Sequence, residues 1–289
     1  MELLLQLLVN GIINGSHYAL LALSFGLIFA TTRILHFAYG PVFAVSAYCA
    51  WYVCGPLGLP IIAGLLAAVA GGVVMGVACY LVVYRPLELR NAPHLVPMIA
   101  SLGLFILIEN MIGVVFGSGA RALRNIDYDI FLVGPVFFTS IHVLQVVSLI
   151  VIGGGLVVFL RRTRYGKAIL AMTDNADMAR VIGIDTFRIS LLVFAIGSAM
   201  AAPPAMLILI KDSANAHMGF AAVFMAFIAV FIGGIGSLKG AALGGFVLGL
   251  VESLGLWRIP TEWQASIGFV VLFLVIMLRP QGLLGAKRT

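Results

Sequence analysis

Polar positions in this chain gather in short clusters, and the apolar stretches between them are longer than the core of a water-soluble protein needs. Nine such stretches run approximately over 4–30, 39–54, 58–83, 94–116, 141–160, 187–210, 216–236, 240–256 and 263–278. A bilayer's hydrocarbon is crossed by about 20 apolar residues in an α-helix, which satisfies its backbone hydrogen bonds internally. The pattern predicts an all-α polytopic membrane protein with about nine membrane segments, eight to ten fitting it, in one transmembrane domain over 1–289. The second and eighth stretches are short and glycine-bounded, so each fits a crossing or a re-entrant segment.

Composition agrees. Of the 289 residues, 62% are apolar and 10% charged, and the 33 glycines suit closely approaching helices. Cys49, Cys54 and Cys79 show no CxxC spacing, and the five histidines are scattered, so neither a disulfide framework nor a metal site is expected. The opening MELLLQLLVNGIING lacks a basic leader and reads as a first membrane segment, not a cleaved signal.

In a soluble protein a net charge of +6 would suggest nucleic acid; here topology accounts for it. With the N-terminus outside and all nine stretches crossing, only Arg121, Arg124, Lys211 and Arg258 of the 17 basic residues fall outside. The inner set includes Arg33, Arg85, Arg90, Lys239, Arg279, Lys287 and Arg288.

The densest charge lies in RRTRYGKAILAMTDNADMARVIGID at 161–185, within an inner loop over 161–187. Asp174 is expected to cap a short helix, with Asp177 three positions on and Gly183 as its stop. Met178, Val181 and Ile182 share one face of that helix while Asp177 and Arg180 point elsewhere. A helix this short and this acidic at its start suits docking on a partner better than lying on lipid, the alternative being an ordered loop.

Polar groups inside apolar stretches are candidates for a transport path, because burying them there is costly. Glu109 with Asn110, Glu252, Asn14, His17, His36 and Tyr39 form this set. For the histidines, a hydrogen bond between helices is the plainer reading. Ala201–Pro204 is expected to break or kink the sixth segment, since two prolines remove two helical donors. GGIGSLKGAALGG at 233–245 lacks the order of a phosphate-binding loop and reads as a tight turn between close helices.

Several stretches in order resemble the LivH-type permease family of branched-chain amino acid ABC importers. They are YRPLELRNAPHLVPMIASLGLFILIEN at 84–110, FGSGARAL at 116–123, AMTDNADMARVIGIDTFRISLLVFAIGSAMAA at 171–202, MGF at 218–220, GGIGSLKGAALGGFVLGLVES at 233–253 and RPQGLLG at 279–285. The resemblance implies a permease without ATPase activity or cofactor of its own, ATP and Mg being bound by two cytoplasmic ATPase subunits. It further implies a second, LivM-like permease, a periplasmic binding protein, and a bacterial inner membrane with the N-terminus periplasmic and the C-terminus cytoplasmic. Asp174, Asn175, Asp177, Met178, Ala179, Arg180 and Gly183 match its ATPase-coupling positions. HFAYG at 36–40, Met225 and Ala-Pro-Pro at 202–204 depart from its usual residues, leaving the solute open among branched-chain amino acids, amides, urea and aromatic acids. An ion-coupled transporter using Glu109 or Glu252 is the rival reading.

Overall fold

A computed structural model describes residues 2–93, 95–123, 129–279 and 281–285. Arg124, Lys287 and Arg288 of the charge distribution, and His94 and Pro280 of the family-like stretches, lie outside the described residues. Each of the nine apolar stretches falls on a helix: α1 (Glu2–Thr32), α2 (Tyr39–Cys54), α3 (Ile61–Leu89), α4 (Leu95–Phe116), α5 (Ser140–Arg162), α8 (Thr186–Lys211), α9 (Met218–Gly233), α10 (Leu238–Gly255) and α11 (Gln264–Leu278). Six of these, α1, α3, α4, α5, α8 and α10, are long and apolar enough to cross a membrane. The remaining α2, α9 and α11 have 16, 16 and 15 residues.

Three features differ from the pattern-based expectation. Single π turns interrupt α3 at Tyr80–Tyr84 and α5 at Leu149–Gly153. A short hairpin, β1 (Ile130–Val133) and β2 (Val136–Thr139), turns at Gly134, whose φ of +61° only glycine adopts cheaply. Finally, of the break or kink expected at Pro203 and Pro204 the break is absent: α8 is continuous there, although the prolines deny the Ala199 and Met200 carbonyls their usual helical partners.

The chain divides into two compact units. The first comprises 1–26, 127–155 and 224–289. Here glycines let backbones touch: a Cβ at Gly245 would collide with Ala19, at Gly249 with Gly15, and at Gly244 with Ala229. The glycine-rich 233–245 stretch holds a tight turn at 234–237 between α9 and α10, with Gly234 and Gly236 at φ +112° and +87° and Ser237 accepting from the Gly240 N–H at 3.0 Å. Leu283 and Leu284 donate backbone N–H groups to Ile232 (2.8 Å) and Gly233 (2.9 Å), satisfying carbonyls that the end of α9 leaves open. Gln6 pairs both ways with the backbone of Phe137, tying α1 to the hairpin at 3.0 and 2.9 Å.

The second unit comprises 27–126 and 156–223. Its core is α2, α3 and α8, where Gly72 and Gly76 of α3 leave room only for Ser46 and Ser198. Large apolar side chains on α4 stay uncovered, Val114 being 87% exposed, as expected of a surface facing lipid.

Candidate functional site

The charged stretch at 161–187 folds into two short helices. Thr163 ends α5 and accepts from the Gly166 N–H at 2.9 Å, starting α6 (Arg164–Asp174). The next helix, α7 (Ala176–Val181), is capped by Asn175, whose Oδ1 accepts from the Met178 N–H at 3.0 Å. This corrects the expectation for Asp174, which is the last residue of α6. Capping requires extended backbone, and Asn175 has it, at φ −154° and ψ 102°. Gly183 ends α7 as expected, with φ +89° and the Ile184 N–H returning to the Ala179 carbonyl at 3.0 Å.

Burial then sorts the side chains of this segment. Ala179 faces inward at 2% exposure, while Met178, Val181 and Ile182 are 58%, 81% and 67% exposed. Asp177 and Arg180 stand 3.9 Å apart, an exposed pair worth little to stability. The segment thus presents apolar groups beside a mixed-charge pair, a surface suited to a protein partner.

Next to it lies a cleft of about 620 Å³, lined among others by Thr31, Arg85, Glu88, Met172, Arg180 and Ser190. Arg85 lies over the Phe187 ring at 4.6 Å, and Glu88 accepts from the Tyr80 hydroxyl at 3.0 Å. Thr31 of the cleft lining, and Arg33 two residues on, both hydrogen-bond to Thr173.

The polar groups expected along a path divide between the units. In the first, Asn14, His17 and Tyr18 lie on α1, and Glu252 and Ser253 on α10. Glu252 is fully buried; its Oε2 accepts from the Tyr18 hydroxyl at 2.9 Å, and Asn14 reaches Ser253 at 3.5 Å. In the second, His36 and Tyr39 are fully buried, and His36 Nδ1 meets the Tyr84 hydroxyl at 2.8 Å. Burial pushes the His36 imidazole down to about 3, so this linker residue between α1 and α2 is neutral at physiological pH. Glu109 pairs with His217 at the start of α9, which is well exposed. Asn110 bonds to its own helix at the Ile106 carbonyl, 2.7 Å away, and is exposed beside the apolar surface of Val114 and Val115. Tyr18, Tyr84 and His217 escape sequence reasoning, because nothing local announces which distant polar group each will meet.

Residues 7–277 match the family described as branched-chain amino acid transport system / permease component. The LivH permease protein of a high-affinity branched-chain amino acid transport system of Salmonella typhimurium is 33% identical over 295 residues, covering 97% of this chain and 95% of that protein. BraD, the corresponding permease protein of Pseudomonas aeruginosa, is 32% identical over 297 residues with the same coverages, 97% and 95%. Among solved structures, PsaBC from Streptococcus pneumoniae in complex with Fab resembles the fold with a TM-score of 0.54 at 12% identity, over 94% of this chain and 91% of that one.

Proposed function

The chain belongs to the permease-component family of branched-chain amino acid transport systems, and from that premise we propose that it is a membrane subunit of an ATP-driven importer for a branched-chain amino acid or a related small organic solute. ATP is hydrolysed by two cytoplasmic partner subunits, which dock on the segment from Asp174 to Gly183. The observation that carries this reading is α7, a capped, ordered helix that leaves Met178, Val181 and Ile182 uncovered. Closure of the ATPase pair moves this segment and biases the helices between outward and inward openings.

A second permease, LivM-like, and a periplasmic binding protein complete the assembly in a bacterial inner membrane. All nine apolar helices cross, with the N-terminus periplasmic and the C-terminus cytoplasmic, in keeping with the excess of basic residues on the inner side. In that orientation the Glu109–His217 pair lies toward the outer face, while His36, in the linker between α1 and α2, and Tyr39, at the start of α2, lie toward the inner one. Solute selection then falls mainly to the binding protein.

The experiment is uptake into sealed vesicles holding the chain and its co-purifying subunits, with ATP or an imposed proton gradient as the driving force and a panel of amino acids, amides and aromatic acids as solutes. ATP-dependent uptake requiring the binding protein is expected. Gradient-driven uptake without ATP would instead favour the ion-coupled reading, for which the buried Glu252 is the motivating group.

A further inference from the structure

The coupling segment needs a mechanical connection to the membrane helices, and the structure offers a specific one. Arg33 ends α1 in the left-handed region, φ +58°, with its N–H on the Phe29 carbonyl at 2.9 Å. Glycine would adopt that backbone without cost, whereas an arginine there is strained. Its guanidinium donates to the Thr173 carbonyl at 3.1 Å. That carbonyl is in the last turn of α6, where helical partners run out and the dipole attracts a cation.

A second bond runs alongside. The Thr173 hydroxyl donates to the Ile169 carbonyl at 3.0 Å, so in the 3.3 Å contact between Thr31 and Thr173 the Thr31 hydroxyl is the donor. Asn175, two residues beyond Thr173, caps α7. Thr31, Met172, Ala176 and Arg180 all line the 620 Å³ cleft, so the segment has open space beside it and these polar bonds hold it at one edge.

We propose that Arg33 is a positioning residue for energy coupling: with Thr31 it ties the end of α1 to Thr173, so that displacement of α7 is passed to α1. This rests on the reading of α7 as the ATPase-docking helix.

The test uses the complete transporter reconstituted in sealed vesicles. Arg33→Gly keeps the backbone conformation and removes the guanidinium. The complex is expected to assemble and hydrolyse ATP, while solute moved per ATP falls roughly tenfold, the weight of one charge-assisted hydrogen bond on a two-state equilibrium. Adding Thr31→Cys and Thr173→Cys to the Arg33→Gly chain replaces the tie with a disulfide. Oxidation should then restore solute moved per ATP and reduction abolish it, a response that a purely structural role does not give. An unchanged ratio in Arg33→Gly, or no recovery on oxidation, overturns the proposal. If the glycine chain does not accumulate, Thr31→Val with Thr173→Val is read in the same assay, an unchanged ratio again counting against the tie. Met178→Arg separates the two readings: retained ATPase and normal uptake there reject docking on α7, whatever Arg33→Gly does.

Discussion

Tyr18 donates its hydroxyl to Glu252 across 2.9 Å, joining α1 to α10 through a fully buried carboxyl group. A glutamine at 252 can still accept that bond; an alanine leaves the tyrosine unpaired, at a cost of about 1–3 kcal/mol. Glu252→Gln is therefore expected to keep ATP-driven uptake and most thermal stability in detergent, and Glu252→Ala to melt several degrees lower. Loss of uptake in a stable Glu252→Gln protein would mean that the carboxyl proton takes part in transport.

On α7 the expected effects reverse. Met178 and Val181 are exposed, so Met178→Arg and Val181→Arg change stability by no more than about 0.5 kcal/mol, as exposed substitutions usually do. The ATPase subunits should nevertheless be lost on purification. A complex that keeps them at wild-type stoichiometry would place the docking surface elsewhere.

Gly249 has no room for a Cβ against Gly15, nor Gly245 against Ala19. Leucine at either position must push α10 off α1, an overpacking cost of about 1–3 kcal/mol or more. Membrane extracts should contain markedly less folded protein for Gly249→Leu than for Gly103→Leu, since a Cβ at Gly103 meets nothing within 4 Å.

His36 gives a pH dependence with a definite sign. Unfolded, its imidazole takes up a proton as pH falls through about 6.5; folded, it stays neutral down to about 3. The unfolded state thus binds more protons in that window, and stability declines as pH drops from 6.5 toward 3. Melting curves between pH 7 and 5 should show a shallower slope for His36→Gln than for the parent chain.

Much of this architecture is legible in the sequence, because apolar run length alone places nine helices and because Gly183 and the 233–245 glycines mark turns by the backbone they permit. The cap at α7 is missed by one residue: Asp174 and Asn175 are both good caps, and the choice rests on where α6 ends. Pro203 and Pro204 do not break α8, whose contacts with α2 and α3 hold it together despite two absent donors. Partner choice is invisible for a different reason. Tyr18 and Glu252 are 234 residues apart, and Arg33 and Thr173 are 140 apart, so their pairing is decided by tertiary packing that no local pattern encodes.

The glycine contacts of α10 carry a mechanical consequence. Where main chains touch without side chains between them, neither helix can slide or turn past the other, since any offset drives a bulkier residue into the partner's backbone. Residues 2–26 of α1 and the whole of α10 should therefore travel together as a stiff beam through every step of the cycle.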